Sequence, residues 1–81
     1  MHHYDKIAAT ILSTAIHRGA GKSTCPSEIA RMLFPDDWRK HMNDVREVAI
    51  DLHKKGSVAI TQKGIPVDVD NIKGPVRIKI I

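Results

Sequence analysis

The sequence has too few cysteines for the disulfides that stabilise small extracellular domains, and it has no apolar run long enough to span a membrane. Cys25 is the single cysteine among 81 residues, so no internal disulfide can form. A lone cysteine is typical of a protein in a reducing compartment. No apolar run approaches the roughly 18 residues that a membrane-spanning helix requires. We therefore expect a cytoplasmic protein with no membrane partner.

Aromatic residues are also scarce, with one Trp, one Tyr and one Phe in the chain. Hydrophobic residues nevertheless make up 42% of it, so aliphatic side chains must fill the core. A chain of this size has room for one thin core, because small domains bury only about 60% of the surface that the unfolded chain exposes. The sequence therefore predicts a single domain over residues 1–81.

Positive charge is unevenly distributed along the chain. The net charge is +4, and residues 1–52 hold as many acidic as basic side chains. The whole excess therefore lies in residues 53–81, where six basic residues meet only Asp68 and Asp70. A positive end is typical of nucleic-acid-binding proteins, and a merely solubilising edge has the same composition.

Apolar residues at helical spacing predict two helices in the first half of the chain. The first covers residues 4–18 and is followed by glycines that end it. The second begins at Pro26, because proline suits the first helical position, where its missing N–H would have no partner anyway. Phe34-Pro35 ends it, since the residue before a proline disfavours the helical conformation.

A third helix is predicted between an acidic pair and a basic pair. Asp36 or Asp37 is expected to cap it, and Lys54-Lys55-Gly56 has the cations and the glycine that suit a helix C-terminus. Trp38 falls in its first turn. In a chain with so few aromatic residues, we interpret Trp38 as a core residue beneath the second and third helices.

The period changes to that of β-strands after the third helix. Apolar residues alternate along 58–61 and again along 76–80, which predicts an antiparallel pair. A long loop, Gln62–Pro75, joins the two strands and is expected to project, and Lys22–Thr24 is expected to be extended. Three helices packed on a small antiparallel β-hairpin make an α+β fold of the winged helix-turn-helix type, with the hairpin as the wing.

Several short motifs are specific as a set, although each is weak alone. They are Cys25-Pro26-Ser27-Glu28-Ile29-Ala30-Arg31, Asp37-Trp38-Arg39, Val45-Arg46, Thr61-Gln62-Lys63-Gly64, Pro66-Val67-Asp68 and Gly74-Pro75-Val76-Arg77. With these motifs the chain resembles a family of short bacterial proteins of unknown function that are regarded as winged-helix-like. The resemblance covers residues 5–80. It implies that fold and a bacterial cytoplasmic setting, and it brings no activity, ligand or catalytic residue.

No set of residues favours an enzyme, a metal site or a bound cofactor. Gly19–Ser23 resembles the end of a phosphate-binding P-loop, but it follows a helix and lacks the first glycine of that motif. Cys25 has neither a base nor an oxyanion site predicted beside it. The histidines lack the paired spacing of a zinc site. We therefore expect a protein that is not an enzyme and that needs no cofactor or metal.

The N-terminal part of the third helix is the first candidate binding element. Recognition helices present this part to the major groove of DNA, and the donors here suit phosphates, guanine or adenine. Glu47 and Asp51 lie further along the same face, where they would repel phosphates. The predicted contact residues are Arg39, Lys40, Asn43 and Arg46.

The wing is the second candidate binding element, because winged helices commonly lay this hairpin on the nucleic-acid backbone. Its predicted phosphate contacts are Lys63, Lys73, Arg77 and Lys79. In a competing interpretation, Arg77 pairs with Asp68 or Asp70 and only holds the loop in shape, since a long loop needs internal partners to stay ordered.

Two functions are compatible with this pattern. The preferred hypothesis is a small non-enzymatic protein that binds double-stranded DNA through the third helix and the wing. The alternative is a protein–protein interaction module without nucleic-acid binding, because a fold does not fix a function. The partner surface would then consist of exposed apolar residues, namely Ile65, Val67, Ile72 and Ile81.

Overall fold

The helices and strands follow one another in the predicted order in a computed structural model that describes residues 3–81. Over these residues, no helix combines the length and the hydropathy needed to cross a bilayer. The elements are α1 (Tyr4–Arg18), α2 (Pro26–Leu33), a 3₁₀ helix (Trp38–His41), α3 (Met42–Lys54), β1 (Val58–Gln62), β2 (Ile65–Pro66) and β3 (Arg77–Ile80).

The first two helices have the predicted bounds. Along α1, Ile7, Ile11 and Ala15 recur at four-residue steps and are all buried. The helix ends at Gly19, whose positive φ of 80° is a backbone conformation that glycine adopts without strain. Pro26 occupies the start of α2, as predicted.

The predicted start of the third helix was wrong. The residues from Trp38 to His41 form a separate 3₁₀ helix, and α3 begins only at Met42. Asp37 makes no side-chain capping hydrogen bond, and its carboxylate lies 3.4 Å from His41 Nε2. The His41 ring also stacks on Phe34, with 3.7 Å between the ring centroids.

The core is aliphatic, as the composition predicted. Side chains from α1 and α3 pack on the sheet, and α2 packs on both of these helices. Each fully buried apolar side chain contributes about 1.5–3 kcal/mol through the removal of apolar surface from water. The largest completely buried apolar side chains are Ile7, Ile11, Ile29, Val45, Val48, Val58, Ile60 and Ile78.

The sheet has three antiparallel strands in the order β2-β1-β3. The predicted pair is present, with Ile60 opposite Ile78 in the register of β1 and β3. Thr24 forms a further bridge to Ile78 through two backbone hydrogen bonds of 2.7 Å, so the predicted extended piece is tied to the far edge of β3. The three helices and this sheet confirm the predicted α+β winged-helix layout.

The predicted single long loop was wrong, because its first part forms a tight hairpin of β1 and β2 at the tip of the wing. β2 pairs with β1 across a two-residue turn at Lys63 and Gly64. Both residues have positive φ, 53° and 79°, as a type I′ turn requires. The sequence signal was weak because Lys63 stands where Asn or Asp is usual and because Pro66 disfavours a strand.

The remaining loop, residues 67–76, does not project but folds back onto α3. Val67, Val69 and Ile72 are half-buried and pack against the core. Two residues of α3 hold the loop by polar contacts. Arg46 bonds the Gly74 carbonyl, and Lys54, two turns further along the helix, pairs with Asp70. The loop therefore packs along one side of α3, between Arg46 and Lys54.

Candidate nucleic-acid interface

The tip of the wing carries Lys63, and a neighbouring glutamine brings Lys73 to the same place. Lys63 is exposed at the hairpin turn. Gln62 Nε2 donates hydrogen bonds to the carbonyl oxygens of Lys73, at 2.6 Å, and Pro75, at 2.9 Å. Because these bonds fix the end of the loop against the hairpin, the two lysines predicted at opposite ends of a long loop lie side by side.

These residues line an open groove, which we call the wing groove. It has a volume of about 610 Å³, and its lining includes the three cations Lys63, Lys73 and Arg77. No acidic residue lines it, and within residues 3–81 no Asp or Glu oxygen lies within 4.0 Å of any of the three. The remaining lining residues are Gln62 and Pro75.

Arg77 is held at the groove by a contact that the sequence did not predict. Its Nε donates to Ser23 Oγ at 2.8 Å, and its Nη2 donates to the Ser23 carbonyl at 3.0 Å. The competing interpretation of Arg77 as the partner of Asp68 or Asp70 is therefore wrong. Both contacts go to neutral acceptors, so the charge of Arg77 stays uncompensated.

The two acidic residues of the loop have other partners. The side-chain amide of Asn71 and the backbone N–H of Asp70 donate to the Asp68 carboxylate and lower its pKa. Asp70 lies 3.4 Å from Lys54 Nζ. Asp68 is thus bonded within the loop and Asp70 is paired with α3, so neither carboxylate neutralises a cation of the wing groove.

Lys79 lies on the same face of β3 as Arg77, two residues further along the strand. It is opposite Ala59 and half-buried, and it does not line the wing groove. Of the four predicted wing contacts, the structure therefore brings three together and leaves Lys79 further down the sheet.

The N-terminal side of α3 presents the other predicted contacts. Arg39, Lys40 and Asn43 are exposed. The Arg39 guanidinium lies 4.5 Å from the centre of the Trp38 ring, and Arg31 lies 4.3 Å from it. Trp38 is half-buried and packs against the core, as predicted, while its ring orients two arginines at this end of the molecule.

Arg46, the fourth predicted contact on the helix, has a structural partner. Its Nη2 donates to the Gly74 carbonyl at 3.3 Å. The side chain is half-buried beside Pro75, in a small cleft that also contains Ser27 and Met42. Arg46 therefore connects α3 to the loop, and Lys73 and Pro75 of the same loop line the wing groove.

The solvent face of α3 beyond Asn43 is not basic. Glu47 is exposed, and Asp51 accepts a hydrogen bond from the Tyr4 hydroxyl and one from Lys55. These two contacts lower the pKa of Asp51, so its carboxylate is charged. This half of the helix is mixed in charge, because Lys55 pairs with Asp51 and Lys54 is also exposed, while Glu47 has no cation within 4.0 Å among residues 3–81.

The apolar residues of the alternative partner surface do not form one patch. Val67 and Ile72 are half-buried against the core. Ile65 and Ile81 are exposed by 67% and 72%, but Ile65 pairs at the C-terminal end of β1 while Ile81 follows the residue paired at its start. The length of β1 separates the two.

Sequence reasoning missed the residues around Ser23. A second groove, which we call the Ser23 groove, is lined by His17, Arg18, Lys22, Ser23 and Arg77. The Lys22-Ser23 dipeptide was weighed as the end of a P-loop, which was rejected, and was otherwise interpreted as part of an extended piece. No local pattern relates Ser23 to Arg77, because 54 residues separate them in sequence.

Within residues 3–81, no group of three or more His, Cys, Asp or Glu side chains is arranged to hold a metal ion. Cys25 is half-buried, and its Sγ lies 3.2 Å from Ser27 Oγ.

Three helices, an antiparallel sheet and a hairpin that carries uncompensated cations define a protein of the winged-helix layout. The chain belongs to the protein family of unknown function DUF3253, which it matches over residues 4–81. The resemblance drawn from the motifs, to a family of unknown function, is thereby confirmed.

The chain is also similar to the replication factor C small subunit of Haloarcula marismortui. The two sequences are 37% identical over 59 residues, which cover 73% of this chain. The chain spans only 14% of the length of that relative.

Proposed function

We propose that this protein binds double-stranded DNA without acting as an enzyme, and that the wing makes the main contact. The observation that carries the proposal is the wing groove, where Lys63, Lys73 and Arg77 converge without an acidic partner in the described chain. Cations that are not neutralised within a protein attract phosphates and release the counterions of DNA, which is the main source of sequence-independent affinity.

The wing contacts address the DNA backbone rather than its bases. Lysine ammonium and arginine guanidinium groups at the open groove can donate to phosphate oxygens, and arginine does so with two parallel hydrogen bonds. Lys79 extends the positive charge along the outer face of β3. The wing would therefore orient the protein on the duplex and supply most of the binding free energy.

The N-terminal end of α3 would contribute the contacts nearest to the bases. Arg39 and Lys40 are exposed beside it, and Asn43 is the exposed polar residue of its first turn. An asparagine can bind the major-groove edge of adenine with two hydrogen bonds. Arg46 has a smaller role here, because its guanidinium already bonds Gly74.

The setting that we propose is the bacterial cytoplasm, in keeping with a single cysteine and with the family resemblance. The similarity to a replication factor subunit spans too little of that relative to support the proposal, which rests on the wing groove.

Fluorescence anisotropy of a labelled duplex at low salt tests the proposal. We expect micromolar binding by the wild type and a loss of at least tenfold in affinity for Lys63→Glu, because this variant puts a negative charge at the centre of the contact. Lys6→Glu is the matched control. It makes the same change in net charge at an exposed position on α1, outside both grooves.

Two outcomes would contradict the proposal. One is no binding of the duplex at tens of micromolar protein in low salt. The other is an equal loss of affinity in Lys63→Glu and Lys6→Glu, which would mean that total charge and not the wing decides binding. The first result would leave the protein-interaction module as the better hypothesis, and the second would remove the wing as the main contact.

A further inference from the structure

The Ser23 groove adjoins the wing groove, and Arg77 lines both of them. The Ser23 groove has a volume of about 640 Å³ and lies between the C-terminal end of α1, the α1–α2 loop and β3. A basic surface therefore continues from the tip of the wing, across β3, to Lys22.

Arg77 is oriented between the two grooves by Ser23. Its two hydrogen bonds to Ser23 use two of the five N–H donors of a guanidinium. The other donors are left for a ligand. Because the Thr24–Ile78 bridge ties the loop to β3 next to these bonds, the position of the guanidinium is set before any ligand arrives.

The charge of the Ser23 groove comes from Lys22 and Arg77 rather than from Arg18. The Arg18 guanidinium pairs with the carboxylate of Glu28, which also accepts a 2.7 Å hydrogen bond from Thr24 Oγ1. Lys22 is exposed, and in the described part of the chain it has no acidic oxygen within 4.0 Å. Two uncompensated cations thus face a groove without an acidic lining residue.

We propose that the Ser23 groove binds a phosphate group through Lys22 and Arg77, and that this phosphate belongs to the nucleic-acid strand that the wing groove contacts. The second half of this inference rests on the proposed function. Phosphate is the ligand that this pair of cations suits best. The guanidinium of Arg77 is fixed and binds phosphate oxygens in a defined geometry, and the ammonium of Lys22, on a flexible side chain, adjusts to the position of the phosphate. Because Arg77 lines both grooves, one nucleic-acid backbone can pass over both of them.

The salt dependence of duplex binding gives the first test, with Lys22→Gln compared to Lys6→Gln. Each variant removes one charge, and neither lysine side chain makes a hydrogen bond or ion pair within residues 3–81, although the Lys6 ammonium lies 5.3 Å from the centre of the Phe34 ring. Each phosphate contact contributes about 0.9 to the slope of log K against log salt. We expect Lys22→Gln to lower the slope by about that amount and Lys6→Gln to leave it unchanged.

Titration with inorganic phosphate gives the second test and does not depend on DNA binding. We expect saturable shifts of the backbone amide NMR signals of Lys22, Ser23 and Arg77 in the wild type, measured against sodium chloride at equal ionic strength. In Lys22→Gln these shifts should weaken severalfold, and in Lys6→Gln they should persist.

The two tests separate this inference from the proposed function. If the duplex binds through the wing, but Lys22→Gln keeps the wild-type slope and phosphate gives no saturable shift, the Ser23 groove is not a phosphate site. If phosphate saturates the groove and no duplex binds, the site exists for a free phosphate and the shared-backbone half of the inference is wrong. Saturation together with the slope change supports both halves.

Discussion

Arg46 Nη2 donates to the carbonyl oxygen of Gly74 at 3.3 Å, and this bond joins α3 to the end of the β2–β3 loop. Gly74 itself follows Lys73, one of the three cations of the wing groove. Arg46, which the sequence predicts as a DNA contact, therefore also holds the loop that carries Lys73, another predicted contact. This relationship couples the stability of the loop to the geometry of the proposed interface.

The first prediction concerns this bond. In Arg46→Gln we expect faster hydrogen exchange at the loop amides of Val67 and Asn71, because the loop loses one of its two polar anchors on α3. The free energy of unfolding should fall by only about 0.5–1.5 kcal/mol, since the bond is partly exposed to water. Amide exchange measured by NMR checks both. Unchanged exchange in the loop would mean that Arg46 does not anchor it.

The second prediction concerns the core of α1. Ile11 is completely buried, while Ile16 on the same helix is 64% exposed. We expect Ile11→Ala to lower the free energy of unfolding by about 2–5 kcal/mol, because it removes buried methyl groups and leaves a cavity. Ile16→Ala should change it by less than about 0.5 kcal/mol. Urea denaturation of both variants measures the difference, and equal effects would contradict the assigned face of α1.

The third prediction concerns Lys63, whose φ of 53° lies in the left-handed region, which is unfavourable for a lysine backbone. Asparagine is favoured at this position of a type I′ turn. Lys63→Asn should therefore raise the free energy of unfolding by about 0.5 kcal/mol and the melting temperature by about 2–4 °C.

The same variant should bind DNA more weakly, because it loses a cation of the wing groove. Calorimetry and anisotropy on one sample check the two effects together. A variant that is both less stable and equally able to bind DNA would contradict the turn geometry and the proposed role of Lys63.

The fourth prediction is a loss of stability in acid. Hydrogen bonds from Tyr4 and Lys55 lower the pKa of Asp51, and hydrogen bonds from Asn71 and Asp70 lower the pKa of Asp68. Both folded-state pKa values thus lie below the unfolded value near 3.8. The stabilisation is present above that value and is lost as the pH falls through the folded pKa values, because the unfolded state then binds more protons.

Melting temperatures recorded from about pH 7 down to about pH 2 measure this effect, which should appear below about pH 4. In Asp51→Asn we expect a lower melting temperature at neutral pH and a smaller fall in acid. Asp36→Asn is the control, because Asp36 is exposed and makes no ion pair within residues 3–81. A profile that is identical in the wild type and Asp51→Asn would contradict the assigned network.

The sequence predicted the elements whose signal is periodic. The apolar spacing of α1 and the alternation along β1 and β3 each depend on one buried face, which local sequence reports directly. The 3₁₀ helix was missed because a four-residue turn without a buried residue has no apolar periodicity to detect. β2 was missed because a two-residue strand that contains Pro66 has no alternation to detect.

The candidate site was predictable as a set of charges but not as a geometry. Lys63, Lys73 and Arg77 stood out because positive charge is concentrated in the last third of the chain. Their convergence depends on Gln62, which bonds two carbonyls of the loop, and on Ser23, which holds Arg77. These contacts join residues far apart in sequence, so only the folded chain brings Lys22 into the same surface.

The most direct test of a wing-led DNA contact is an NMR titration of the isotope-labelled protein with an unlabelled duplex at low salt. The largest amide shifts are expected at Lys63, Gly64, Lys73 and Arg77, with smaller ones at Asn43. The amide signal of the exposed Glu47 on α3 should not shift. Shifts centred on Glu47 with the wing unaffected, or no shifts at saturating duplex, would contradict the account.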